Sequence, residues 1–221
     1  MQCRSEGFTK TAAGAISLAV IWMFALPLCA VAAPVRAPLT PPAEIVLAQA
    51  NANSNAQAQI YLLRGLANVF SRGMDEMGAR LRSYGFAPHV LNHRGWQVST
   101  DTIARNFRNG RTAPIIIIGH SLGANAAFQI AKRLQSKGIP VAYLATFDPT
   151  RRFTVPSNVQ SFANFYQNNG HGRPASFPDD RREDKVNLNL TSSPGVTHTN
   201  IDQNWRLQNI VIARVWAVTA R

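Results

Sequence analysis

The chain is poor in cysteine: of its 221 residues only two are cysteines, and both, Cys3 and Cys29, lie near the start. Arg4 and Lys10 precede an apolar stretch from Ile16 to Leu28, which is followed by Ala30-Val31-Ala32 and then Ala33. This is the layout of a secretory signal, residues 1–33, with a small-residue cleavage pattern at its end. A signal anchor left in place is the alternative, because the apolar stretch approaches the length that spans a bilayer. Leu28 rather than a small residue precedes Cys29, which argues against a lipoprotein signal. Cleavage would leave no cysteine at all, so disulfides are excluded as a source of stability and burial must carry the fold. About 160 residues from Gln59 onward are enough for a sizeable core.

Negative charge is also scarce, with 11 Asp and Glu against 23 Lys and Arg and a formal charge of +12. Loss of residues 1–33 would lower that by one unit, since it removes Arg4, Lys10 and Glu6. Basic clusters occur at Arg151-Arg152 and at Arg181-Arg182 with Lys185. A positive field of this kind gives solubility and weak attraction to anionic envelope surfaces. No basic-aromatic pattern recurs, so nucleic acid is not an expected partner, and no obligate protein partner is indicated. The chain also has no Cys/His cluster and no phosphate-cradling glycine loop, so neither a metal nor an organic cofactor is expected. No internal repeat appears.

Residues 34–58 shift to Ala, Pro, Asn and Gln, with Pro34, Pro38, Pro41 and Pro42 ahead of Asn51-Ala52-Asn53-Ser54-Asn55. This composition predicts a disordered linker. The folded domain is expected over residues 59–221, where strand-like and helix-like segments alternate. Strands are expected at Ile60–Leu63, His89–Leu91, Ile115–Ile118, Val141–Phe147, Val159–Tyr166 and Lys185–Thr191, the last as a half-covered edge. Met74, Met77, Leu81 and Tyr84 mark an amphipathic helix that stops at Gly85. Ile103 and Phe107 mark a short helix capped by Thr100 or Asp101. Ala124 to Lys137 makes a third, and Gln203 to Ala220 a terminal helix whose apolar stripe is broken by Arg214. The alternation predicts a parallel sheet flanked by helices. The irregular stretch Gln167 to Asp184 is long enough to be functional.

The most informative segment is Gly119-His120-Ser121-Leu122-Gly123, which directly follows the apolar run ending at Ile118 and directly precedes the Ala-rich helix. A strand that turns sharply into a helix holds the residue at the turn in a strained conformation, and glycines two positions to either side keep the two elements from colliding. Such a turn lifts the Ser121 hydroxyl clear of the sheet and aims the Leu122 N–H where an oxyanion would form. A serine hydroxyl needs an imidazole to take its proton, and the imidazole needs a carboxylate to fix its tautomer. Asp148 follows a strand on the side of the sheet where Ser121 emerges, so it is the candidate acid. Asp179, Asp180 and Asp184 are rivals from the long loop. Of five histidines, His120 leaves the turn in another direction, and His89 and His93 come too early. His198, in the loop before the terminal helix, is the candidate base, with His171 as alternative.

Ser121, Asp148 and His198, in that chain order, make the sequence resemble the α/β-hydrolase superfamily, in the style of small lipases, esterases and thioesterase-like members. The resemblance covers residues 59–221 and implies a mostly parallel sheet of about six strands, with no lid domain because no helical insertion follows Asp148. It further implies a second oxyanion donor at Leu66, in Arg64-Gly65-Leu66, beside Leu122. Leu66, Val69, Phe70, Trp96 and Phe153 would line an apolar acyl groove, with Arg151 and Arg152 at its mouth. The expected activity is an exported, periplasmic or secreted serine hydrolase acting on a small-molecule or lipid ester or thioester through an acyl-enzyme. An envelope acyltransferase with the same triad, a peptidase or amidase, and an inactive cationic binding module are the alternatives.

Overall fold

The computed structural model describes residues 58–66, 72–178 and 184–220. The expected signal segment, nearly all of the linker, Val69, Phe70, Asp179, Asp180, Arg181 and Arg182 lie outside these residues. Ala58, the last residue assigned to the linker, is already buried in the core.

Six parallel strands form one sheet: β1 (Gln59–Arg64), β2 (His89–Asn92), β3 (Ile115–His120), β4 (Val141–Phe147), β5 (Val159–Tyr166) and β6 (Lys185–Asn189). Their spatial order is β2-β1-β3-β4-β5-β6, with every neighbouring pair parallel. Among the described residues the helices are α1 (Arg72–Ser83), α2 (Trp96–Arg108), α3 (Leu122–Gln135) and α4 (Trp205–Thr219). Short 3-10 turns at His93–Gly95 and Ile201–Gln203 lead into α2 and α4. This is the α/β-hydrolase fold that the sequence resembles, and no helical lid follows β4 among the described residues.

The sheet is covered on both faces. Ile60, Leu62, Ile116 and Ile118 pack toward Met74, Met77 and Leu81 of α1 and Leu207, Val211 and Val215 of α4. Their alternate neighbours Tyr61, Leu63, Ile115 and Ile117 pack toward Ile103 of α2 and Phe128, Ala131 and Leu134 of α3. A strand buried on both faces has no use for polar alternation, which is why β3 reads as four consecutive isoleucines. Strand β6, at the open edge, exposes Val186 and Leu188.

Several element boundaries differ from expectation, and two of the differences bear on the site. Helix α2 begins at Trp96, not at a cap formed by Thr100 or Asp101. The Asn92 side chain accepts from Arg94 N at 2.9 Å and starts the preceding turn. Ser99 and Thr100 turn their hydroxyls back onto the Gly95 and Trp96 carbonyls, so both lie within the helix. Strand β3 also runs on through Gly119 and His120 to the turn itself. The cation in the terminal stripe, Arg214, donates to Ser161 Oγ at 2.7 Å and pairs with Asp184, which removes Asp184 from the candidate acids.

Candidate active site

Ser121 stands between β3 and α3 with φ 56° and ψ −119°, a left-handed conformation that costs a non-glycine residue energy. Close packing holds it there. A Cβ on Gly119 would come within 2.3 Å of the Gly123 carbonyl oxygen, and one on Gly123 within 2.0 Å of the Leu63 carbonyl oxygen. The glycines therefore let α3 approach both its own strand and β1. Ser121 N–H donates to the Phe147 carbonyl at 2.9 Å, which ties the turn to the end of β4.

Asp148 leaves the end of β4 with φ 48° and is fully buried. Its Oδ1 accepts the Gln167 amide at 2.6 Å and its Oδ2 lies 3.0 Å from His198 Nδ1. Gly172 closes over it, since a Cβ there would meet Asp148 Oδ1 at 2.0 Å. An ionised carboxylate only accepts, so Nδ1 of His198 carries the proton. That leaves Nε2, 3.0 Å from Ser121 Oγ, free to accept from the hydroxyl. The structure thus brings Ser121, His198 and Asp148 into one hydrogen-bonded chain, with Leu66 and Leu122 lining the same cavity of about 330 Å³.

The remaining histidines are sorted by their neighbours. His171 stacks on the His198 ring with centroids 4.7 Å apart. His93 Nδ1 lies 3.0 Å from the Gly65 carbonyl and so braces the segment that leads to Leu66. His89 stacks on Tyr61 at the sheet edge, 5.3 Å away. Arg64, which precedes Gly65, forms a two-point contact with Asp75; that hydrogen bond holds the Asp75 carboxyl below its ordinary pKa. Trp96 and Phe153 line a neighbouring cleft rather than the Ser121 cavity, together with Arg151, and Arg152 faces a third cavity. The single acyl groove expected from the sequence is therefore divided, with Leu66 in one part and Trp96 and Phe153 in another.

Sequence reasoning missed the support beneath the base. His120, set aside as a base, places Nε2 2.7 Å from the His198 carbonyl and holds that loop by its backbone. Its Nδ1 faces Asp202 Oδ2 at 3.7 Å, beyond hydrogen-bond range. Both groups are buried, and burial pushes the His120 pKa down to about 4 and the Asp202 pKa up to about 7. The amides of Gly73 and Met74, at the start of α1, pull Asp202 the other way without reaching hydrogen-bond geometry. Below about pH 7 and above about pH 4 the two are thus a neutral pair. The only signal in the sequence was the presence of a titratable residue, His120, at a position that faces the core.

A parallel sheet with a strained serine at the turn after its third strand defines the class by its fold: the chain has the α/β-hydrolase architecture. Residues 93–164 match the family model for the thioesterase domain, a region that carries Ser121 and Asp148 but not His198. The match supports an enzyme that hydrolyses ester or thioester bonds. Similar solved structures include a cutinase-like protein from Cryptococcus sp. (TM-score 0.45, 12% identity, 74% of this chain and 95% of that one). A YdeN-like hydrolase from Pectobacterium atrosepticum gives a TM-score of 0.41 at 15% identity over 78% and 97% of the two chains. The type II thioesterase BorB from the borrelidin biosynthetic cluster gives 0.39 at 11% identity over 72% and 93%. Among curated proteins none matches the sequence significantly.

Proposed function

We propose that this protein is an exported serine hydrolase that cleaves carboxylic ester or thioester bonds through an acyl-enzyme on Ser121. The observation that carries the reading is the hydrogen-bonded chain from Ser121 Oγ through His198 to the buried carboxylate of Asp148. Ser121 Oγ attacks the carbonyl carbon as its proton passes to His198 Nε2, and Asp148 stabilises the imidazolium that forms. The backbone N–H groups of Leu122 and Leu66 hold the tetrahedral oxyanion. Collapse expels the alcohol or thiol, which takes the proton from His198. A water molecule then enters in its place and attacks the acyl carbon as it gives a proton to His198; the bond to Ser121 Oγ breaks, the acid leaves, and His198 returns the proton to Oγ, which restores Ser121. Each proton moves between atoms already within hydrogen-bond reach or bound in the cavity, so no further acid or base is required. Export rests on the arrangement of residues 1–33, with release to the periplasm or medium after cleavage.

Chromogenic aryl esters of short acids provide the test. Wild type is expected to release the phenol with an initial burst that matches the enzyme concentration, and Ser121→Ala is expected to release none above background. Turnover retained by Ser121→Ala would overturn the assignment. Transfer of the acyl group to an added alcohol in preference to water would make the protein an acyltransferase, and cleavage of a matched anilide would make it an amidase.

A further inference from the structure

Next to the Ser121 cavity, and separated from it by Leu122, lies a second cleft of about 380 Å³. Arg94 and Arg151 both line it, and among the described residues no Asp or Glu does. Several other arginines have side-chain partners: Arg64 with Asp75, Arg133 with Asp101, Arg214 with Asp184, and Arg80 with Gln208 and Asn209. The guanidinium groups of Arg94 and Arg151 have no such partner among the described residues. Two unpaired cations that share one recess repel each other, and that repulsion is relieved when an anion enters.

The segments that carry them are fixed in advance. Arg94 sits in the turn capped by the Asn92 side chain, next to His93 and its contact with Gly65. Arg151 follows Thr150, which is held to α3 by two hydrogen bonds with Asn125, at 2.7 and 3.0 Å. Two aromatic side chains line it beside the polar Gln97, Asn125 and Gln129: Trp96 packs against the core, and Phe153 stacks on Phe128 at 4.5 Å. A recess with two cations carried on anchored segments, aromatic side chains and Leu122 in common with the Ser121 cavity suits an organic arm that ends in a negative charge.

We infer that this cleft is a subsite for a carboxylate or phosphate group carried by the ester or thioester substrate, with Arg94 and Arg151 as its binding residues. The inference rests on the acyl-enzyme reading for the reaction itself and adds a substrate class to it. Arg152, next in sequence but facing a different cavity, contributes only to the general positive field. That field is screened over about 8 Å at physiological ionic strength, so a contact and a distant charge can be told apart.

The experiment compares three esters at 0.15 M salt: 4-nitrophenyl butyrate, its anionic counterpart 4-nitrophenyl hemisuccinate, and 4-carboxyphenyl butyrate, which carries the charge on the leaving group. Wild type is expected to prefer one anionic ester over the neutral one by roughly tenfold in kcat/KM, the size of one charge-assisted contact. The double variant Arg94→Gln with Arg151→Gln is expected to lose that preference while its rate on the neutral ester stays within about twofold. Arg152→Gln is expected to keep the preference. Which of the two anionic esters responds tells whether the cleft takes the acyl arm or the leaving group. Equal losses on neutral and charged esters, or an equal effect from Arg152→Gln, would overturn the subsite. If wild type hydrolyses none of the three, the acyl-enzyme reading fails, and the subsite is judged by melting temperature in millimolar succinate and in inorganic phosphate. A rise with either anion that the double variant lacks would uphold the cleft as an anion site, and no rise would end the inference.

Discussion

The two halves of the site are held in different ways. Ser121 is fixed by exclusion: its neighbours Gly119 and Gly123 sit against backbone atoms, and β3 behind it is buried on both faces. His198 is fixed by attachment. Its loop is largely solvent-facing, and hydrogen bonds hold it: the Gln167 side chain donates to the Val196 carbonyl at 2.7 Å, Asn200 bridges to Thr197 and Gly195, and His120 reaches the His198 carbonyl. Steric exclusion is stiff and fails abruptly. Attachment by several separate hydrogen bonds loosens by degrees, each contributing about 1 kcal/mol.

The largest expected effect is chemical and leaves both halves in place. Asp148→Asn keeps the shape of the acid but supplies the wrong partner for Nδ1, so kcat on an activated ester is expected to fall on the order of 10⁴-fold while the melting curve moves little. A fall of less than tenfold would mean that Asp148 does not orient the base. Next comes Gly123→Ala, which forces a methyl group into the Leu63 carbonyl. It is expected to destabilise the fold by about 3 kcal/mol or more in chemical denaturation. A shift below about 1 kcal/mol would show that α3 can retreat, and that exclusion is not what fixes the serine.

His120→Ala tests the attached half and should act more gently. Loss of one hydrogen bond to the His198 carbonyl is expected to lower kcat by roughly tenfold with KM nearly unchanged, and to leave the reaction of Ser121 with small phosphonates slowed but detectable. An unchanged kcat would show that the loop needs no support from below.

The smallest effect is in the pH dependence of stability. The Asp202 pKa is raised in the fold, so its stabilising contribution is complete below about pH 4 and is lost as pH rises toward about 7. The His120 pKa is lowered, so its contribution runs in the opposite direction, gained as pH rises from about 4 to 6.5. Together they nearly cancel. Asp202→Asn removes one slope and is expected to make stability climb with pH over that range, whereas His120→Gln is expected to make it decline toward neutrality. Two flat profiles would mean that neither group is buried as described.

The same contrast explains what the sequence revealed. The excluded half is written locally: four isoleucines, two glycines at fixed spacing and an Ala-rich helix specify strand, turn and helix from adjacent residues. Asp148 was legible because a strand ends at it, and His198 because its order in the chain follows Ser121 and Asp148. What was not legible depends on contacts between residues far apart in sequence. Nothing near His120 announces that it supports a residue 78 positions later, and Gly172 gives no local hint that it shelters the Asp148 carboxylate. The division of the expected acyl groove into two clefts was equally hidden, because Trp96 and Phe153 are placed by the packing of α2 and Phe128, not by their own surroundings in the chain.

The central claim is that the Ser121 hydroxyl is activated by His198 and Asp148, and the most direct measurement is the site and rate of covalent labelling by a fluorophosphonate. A single adduct is expected, mapped by mass spectrometry to the peptide that contains Ser121, forming at least 100-fold more slowly in folded His198→Ala. An adduct on another residue, or one on Ser121 that forms equally fast without the imidazole, would contradict it.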